Sequence, residues 1–453
     1  MNNPLKNINA FLPYCLLIVF LTGYLYIGYF LERSSAIPLM LTYSILFAIY
    51  GLLLFKLKKT ALISFSVFFS LLIRLSLLFA LPNLSDDFYR FIWDGRLLNH
   101  GINPFIHLPS YYIENPTLSP EGINRDLYLK LNSPEYFTIY PPVNQFIFWL
   151  SALLSPNSIV GSVIVIRVFI LLTEAGNFYI IDKLLNIYNL PRKNLLIYAL
   201  NPLVILELSG NLHFEGVVVF FVLAGVYLLK RHRLLYAAAS FALAISTKLI
   251  PVIFLPLIFS KLSFRKTLYF YLMCGLVTLL TFLPLLSTEF VQGVSSSFSL
   301  YFKKFEFNAS LYYLLRAYGY HLQGYNIIGT AGSFLALITL MAIVHYAFYE
   351  SYTRQKTLPH CFLWALLIYL SFTTTLHPWY IIPLIAYCLF TSYRFPVLWA
   401  FLIFFTYLQY KPGGFLENLN LVLIEYALLF AFLLWEWGRN YFQKMGLSRD
   451  IQC

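Results

Sequence analysis

The sequence predicts an all-α, polytopic integral membrane protein with about fourteen transmembrane helices. Of its 453 residues, 60% are hydrophobic and only 11% charged, with 44 Phe and 36 Tyr. Mean hydropathy is +0.73. Apolar runs near the ~20 residues that span a bilayer recur along the whole chain. The net charge of +12 sits in short basic clusters between those runs. That spacing follows the positive-inside rule and argues for membrane lipids rather than nucleic acid as the surroundings.

The first three spans read as 10–31, 37–55 and 61–81. The first, preceded only by Lys6, is too long for a signal h-region and has no small-residue cleavage site, so it is expected to remain as a helix. Lys56, Lys58 and Lys59 place the turn after the second span, and hence the N-terminus, in the cytoplasm. The third span then opens onto the outer face. There the loop 82–140 carries seven acidic residues against four basic ones and is punctuated by Asn103-Pro104 and Asn115-Pro116. A loop of this length is more often functional than idle.

The next apolar run, 142–154, is short. Counted as a full span it would put Arg192-Lys193 and Lys230-Arg231-His232-Arg233 outside, so it reads as a re-entrant helix on the outer side. Spans follow at 159–185, 194–209, 213–229, 235–248, 249–259, 267–287, 326–349, 360–376, 379–392, 396–410 and 419–438. A second outer loop occupies 288–325, and both termini are cytoplasmic. Arg265-Lys266, Arg354, Lys356, Arg394 and the run from Arg439 to Lys444 then fall inside. Neither a soluble domain nor a clear repeat interrupts the pattern, so 1–453 reads as a single membrane domain. Cys15, Cys274, Cys361, Cys388 and Cys453 lack metal-like spacing and report neither disulfides nor zinc.

Chemistry concentrates at a few places. The stretch after the third span packs Asp86, Asp87, Arg90, Asp94 and Arg96 among aromatics that include Tyr89 and Trp93. Acids at a membrane exit are costly unless solvated or used. Adjacent carboxylates point in different directions, so one is available as a general base while the other serves the structure, for instance as a helix cap. At helical spacing Asp86, Arg90 and Asp94 share one face, which leaves Asp87 freer. Asp86 and Asp87 both remain candidates.

A second group, Glu207, Asn211, His213 and Glu215, lies where the chain turns at Ser209-Gly210 between two spans. Ionisable groups at the ends of apolar helices are functional candidates by default, headgroup contact being the alternative. Lys248 sits between spans broken by Pro251 and Pro256. Such a lysine either snorkels or neutralises a phosphate as a point charge. In His377-Pro378-Trp379-Tyr380 the Trp and Tyr suit the membrane interface, which leaves His377 to explain. Lys303, Lys304, Asn308 and Arg316 mark an amphipathic surface segment. Arg74, Arg167 and Glu174 lie inside spans and read as structural, with Arg167 and Glu174 on one helix face, paired to each other or across helices.

The order of these motifs resembles the GT-C superfamily of multi-spanning glycosyltransferases that use polyprenyl-phosphate sugars. It is most similar to bacterial polyprenyl-phosphate-mannose-dependent mannosyltransferases and glycosyltransferase family 87, and more distantly to the catalytic subunit of the first GPI mannosyltransferase. The resemblance rests on Ser85-Asp86-Asp87, Tyr140-Pro141-Pro142-Val143, Asn201-Pro202-Leu203, the turn from Gly210 to Glu215, Lys248 with Pro251, and His377-Pro378-Trp379-Tyr380. It implies a GT-C-like fold and transfer of a hexose, mannose first, from a polyprenyl-phosphate donor to a lipid-linked or glycan acceptor on the outer face.

On that resemblance Asp86 or Asp87 is the catalytic base, and Lys248 with Arg90 or Arg96 carries the donor phosphate. His213, Glu215 and His377 touch sugar hydroxyls or complete the phosphate site, and Tyr89, Trp93 and Tyr380 stack on sugar or line a prenyl groove. Asp94, Tyr140 and Asn211 complete the expected substrate-binding set. The acidic motif is Asp-Asp rather than the Asp-x-Asp of the GPI enzyme. Metal dependence therefore does not carry over: no cofactor is expected beyond the donor, and a divalent metal stays open. The resemblance and the lack of a targeting signal suggest a bacterial inner membrane with the site on the periplasmic side. The alternative is a transporter or lipid flippase, which would place its ionisable residues near the midplane, often with repeat symmetry.

Overall fold

The computed structural model describes the backbone of residues 4–411 and 414–444, and the side chains of 11–293, 295–296, 304–411 and 414–443. Lys6, Lys303, Lys444 and Cys453, which the sequence reading used, lie outside the described side chains. Among the described residues helix follows helix. Strand pairing is confined to a short hairpin, Tyr410–Lys411 with Gly414–Phe415, and a bridge between Phe307 and Thr375.

Among the described residues six helices are long and apolar enough to cross a bilayer: Phe11–Phe30, Ala36–Lys56, Ile159–Ile187, Phe264–Leu285, Ile328–Thr353 and Leu419–Gln443. A seventh span results if Pro202–Gly210 and Glu215–Lys230, bent by 111° at the intervening turn, are taken together. The all-α membrane class is as expected. Several of the other expected spans are apolar helices of 10–17 residues, among them Thr60–Ser76, Leu234–Thr247, Leu358–Phe372 and Phe395–Gln409. Pro142–Leu154 belongs to this shorter set. The long helices present apolar rows outward; on Phe264–Phe282 the exposed row is Leu268, Leu272, Leu276 and Leu279. Such continuous apolar surface is suited to lipid.

Two packing features position the site. Helix Asp87–Asn99 crosses helix Pro142–Leu154 at Gly95, where an added Cβ would lie 2.2 Å from the Phe148 carbonyl oxygen. Only glycine permits this approach. Phe91 and Phe148 then stack at 4.6 Å beside the crossing. Pro142 starts the second helix at a position where its missing N–H has no helical partner to lose.

The second feature is an ion pair in the core. Arg74 lies 3.1 Å from Glu174, both fully buried, and Arg74 also donates to the carbonyls of Ser70 and Ala199. Glu174 accepts further hydrogen bonds from Asn177 and Tyr198, each at 2.8 Å. Its partner is therefore across helices and not Arg167, seven residues away on its own helix. Breaking one side of so buried a pair would cost about 3–5 kcal/mol.

Candidate functional site

The adjacent acids of the loop after helix Thr60–Ser76 part company. Asp86 forms an ion pair with Arg33 at 2.6 Å, and Arg33 in turn lies over the Tyr410 ring at 4.5 Å. Asp86 stands at the N-cap position of helix Asp87–Asn99, yet its side chain makes no capping bond. Asp87 turns the other way. Its Oδ1 accepts from Asn132 Nδ2 at 2.6 Å, and its Oδ2 lies 3.6 Å from His213 Nε2. Burial works to raise the Asp87 carboxyl, but the nearby His213 and its charge, helped by the hydrogen bond from Asn132, hold it below the ordinary carboxylate value.

His213 reaches this place through an unusual turn. Asn201 Oδ1 caps the helix start by accepting from Leu203 N at 3.0 Å. The chain widens to a π-helix over Ile205–Gly210, a feature frequent at functional sites. Arg167 fixes the end of the turn by donating to the carbonyls of Ser209 at 2.6 Å and Gly210 at 3.1 Å, and to Leu78 at 2.7 Å. Leu212 then adopts φ 65°, a left-handed conformation that a branched apolar residue takes only under constraint. The result aims the imidazole edge-on between two carboxylates. Glu207 Oε2 accepts from Asn211 at 2.9 Å and lies 3.1 Å from His213 Nδ1. Its Oε1 accepts from the Tyr407 hydroxyl at 2.7 Å.

One face of His213 is covered by Trp379, with ring centroids 3.6 Å apart. His377 stacks on the other side of this rail at 4.5 Å and 2° from Trp379, followed by Phe307 at 4.6 Å and Phe415 at 4.7 Å. The segment around Phe307 is tied to the rail by the backbone: Phe307 N donates to Thr374 O, and Leu376 N to Phe307 O. Burial pushes the His377 imidazole down to about 3, against the pull of Asp87 and with Lys248 and His213 adding to the fall. It is neutral at ordinary pH.

Lys248 stands at the far side of the same aromatic segment. It is an extended residue ending helix Leu234–Thr247, and Asn144 of helix Pro142–Leu154 pins that end by donating to Thr247 O at 2.9 Å. Its Nζ pairs with Glu215 and lies 4.0 Å from the Tyr380 ring centroid. Glu215, Lys248 and Tyr380 share a cleft with Pro251, Phe254 and Tyr387, so a single charged pair sits in an otherwise apolar groove.

Thus Asp87, His213, Asn211, His377, Tyr380, Glu215 and Lys248 are brought together along one path. The others make their contacts within the loop and with helix Pro142–Leu154. Arg90 pairs with Asp94 at 2.9 Å and donates to Tyr136 O, while Asp94 also accepts from Thr138 and Gln145. Arg96 donates to Gly122 O at 2.6 Å. Trp93 is buried against Tyr112 and Tyr128, and Tyr140 packs on Phe91 and Phe148. Tyr89 lies under Lys130 at 5.6 Å. Sequence reasoning noted Glu207 without a role and passed over Arg33, Asn132, Tyr407 and the stacking of Trp379. Glu207 was within reach, six residues before His213. Nothing local marks the other partners, which come from distant segments. Among the described residues no three or more His, Cys, Asp and Glu side chains gather as a metal site.

Fold and site together define a helical membrane protein whose buried polar centre is assembled from loops and turns at the ends of its helices. Comparison with known proteins narrows the class. Residues 63–262 match the family described as alpha-(1->6)-mannopyranosyltransferase, N-terminal domain. That stretch contains Asp87, Glu207, His213 and Lys248 and ends before His377. Over 225 residues the chain is 30% identical to GPI mannosyltransferase 1 of Kluyveromyces lactis, covering 46% of this chain and 55% of that protein. Over 186 residues it is 23% identical to alpha-(1->6)-mannopyranosyltransferase A of Corynebacterium glutamicum, covering 40% of this chain and 36% of that protein. The chain thus spans about half the length of the first relative and about a third of the second. The likeness is to glycosyltransferases, and among them to mannosyltransferases, as the motif order led one to expect.

Proposed function

We propose that this protein is a membrane glycosyltransferase that moves a hexose, mannose first, from a polyprenyl-phosphate donor to a lipid-linked or glycan acceptor. Asp87 is its catalytic base. The acceptor hydroxyl gives its proton to the Asp87 carboxylate as its oxygen bonds to the sugar C1, and the bond from C1 to the phosphate oxygen breaks with the electron pair leaving on polyprenyl phosphate. A base low in pKa suits a step in which the acceptor oxygen becomes acidic only as it bonds to an oxocarbenium-like carbon. Lys248 carries the leaving phosphate, where fixed positive charge is worth most as negative charge develops. Its apolar cleft accepts the adjoining prenyl chain, and His377, neutral and beside it, hydrogen-bonds the sugar or phosphate.

The observation that carries this reading is the division of labour within the acidic pair: Asp86 is bound to Arg33, while Asp87 faces the histidine and the aromatic rail. Arg90 and Arg96 are turned into contacts within their own loop, whereas Lys248, though paired with Glu215, lines the apolar cleft, and the phosphate role falls to it. The same reading includes about fourteen crossings with cytoplasmic termini, the site on the outer face and, on family likeness, the bacterial inner membrane. No step in it needs a metal.

The test is transfer from radiolabelled polyprenyl-phosphate mannose by the purified full chain, with total membrane lipid as acceptor, in the presence and absence of EDTA. Labelled mannose in product is expected under both conditions. If a panel of polyprenyl-phosphate mannose, glucose and arabinose is neither bound nor used, the transferase reading fails.

A further inference from the structure

We infer that Glu207 is a positioning residue for the reaction: through His213 it holds the Asp87 carboxylate in place, and Tyr407 and Asn211 hold Glu207 in turn. The inference rests on the reading of Asp87 as base given above. Its basis is the use of every polar atom along the line. Glu207 is fully buried, with Oε1 taken by the Tyr407 hydroxyl and Oε2 by Asn211 and His213, so it is shut off from substrate, whereas the Asp87 side chain keeps 20% of its surface exposed. Anything it does for the reaction passes through the imidazole.

His213 is equally committed. Its Nδ1 is on Glu207, its Nε2 faces Asp87 Oδ2, and Trp379 covers its face. Rotation of the ring is blocked by that stack, so the imidazole links the two carboxylates along one fixed axis. A histidine oriented by a buried carboxylate on one nitrogen is a recurring way of fixing what the other nitrogen does. Here the other nitrogen does not activate a nucleophile. It steadies the base, with Asn132 fixing the second Asp87 oxygen at 2.6 Å.

The charges around the line favour an ionised Asp87. The groups facing the Asp87 carboxylate are His213 and Asn132, with His377 and Tyr410 the further titratable groups that feel its charge, and Ser85 Oγ accepts from the Asp87 backbone N–H. Those facing His213 are Asp87, Glu207 and Ser85, with His377 behind Trp379. Arg33 is occupied by Asp86. Removing the Glu207 charge weakens the hold of His213 on its proton, and with it the hold of His213 on the Asp87 anion.

The test measures transfer from polyprenyl-phosphate mannose as a function of pH for the full-length protein and three variants. Glu207→Gln is expected to lower kcat by about tenfold or more with the donor KM unchanged, and to move the acid limb of the rate profile upward. Glu207→Asp, which keeps the charge but draws it back from Nδ1, is expected to fall between. A wild-type profile in Glu207→Gln overturns the inference, and so does a lower kcat with an unmoved acid limb, because a merely structural glutamate would do that. Where Glu207→Gln cannot be recovered folded, Glu207→Asp decides on the same limb: a part-way rise supports the relay and an unmoved limb overturns it. Asp87→Asn is run in parallel. If that variant transfers normally, the base reading itself fails; if it is silent while Glu207→Gln is unaltered, the relay alone fails.

Discussion

Arg33 and Asp86 lie 2.6 Å apart, joining the link between the first two membrane helices to the start of helix Asp87–Asn99. This contact distinguishes two acids that are adjacent in sequence. The pair is partly exposed, with side-chain accessibilities of 30% and 41%, so it contributes little stability, about 0–1 kcal/mol. Asp86→Asn is therefore expected to fold normally and to keep transfer within severalfold of wild type. Initial rates with polyprenyl-phosphate mannose, beside a thermal melt in detergent, check both halves.

Gly95 sets the distance between the loop helix and Pro142–Leu154. With a Cβ only 2.2 Å from the Phe148 carbonyl, and backbone rather than a flexible side chain as the obstacle, Gly95→Ala has to push the helices apart. The expected loss is about 1–3 kcal/mol or more, typical of overpacking. A lowered melting temperature would report it, and an unchanged one would refute the close crossing.

Lys248→Gln removes the cation from the apolar cleft and leaves Glu215 buried without its partner. Loss of a charge-assisted contact to phosphate, worth about 1.5–3 kcal/mol, predicts a ten- to a hundredfold fall in kcat/KM for the donor. Adding Glu215→Gln is expected to restore stability but not transfer. Recovery of transfer in the double variant would show Lys248 to be a structural partner only.

How much of this was legible in the sequence varies by feature. The acidic loop, the turn at Gly210 to Glu215, Lys248 and His377 stood out because polar residues are conspicuous in a chain this apolar. Several expected spans are short helices, because hydropathy reports apolar surroundings without saying whether lipid or protein supplies them. The face shared by Asp86, Arg90 and Asp94 was read correctly only for Arg90 and Asp94, since Asp86 found a stronger claim in Arg33, 53 residues upstream. Tyr407 meets Glu207 across 200 residues, and no local pattern encodes that contact.

The titration of His377 gives a stability prediction. Its imidazole is pushed down to about 3 by burial, from an ordinary value of 6.5, so between those values the unfolded chain binds the extra proton. Stability then rises with pH across that window and falls as pH drops through it. Asp87, held below its ordinary value, adds stability above that value and loses it at lower pH, as pH falls through the folded value. Melting temperature is expected to decline from pH 7 to pH 4, and His377→Asn to flatten the decline. An equal slope in the variant would contradict a neutral, partly buried imidazole.

The most direct measurement is the rate of mannose transfer from polyprenyl-phosphate mannose by Asp87→Asn beside Asp86→Asn, each checked for monodispersity. Removing a general base predicts a fall of about a hundredfold or more in Asp87→Asn, with Asp86→Asn close to wild type. A near-normal rate in folded Asp87→Asn, or the reverse order of the two variants, would contradict Asp87 as the base.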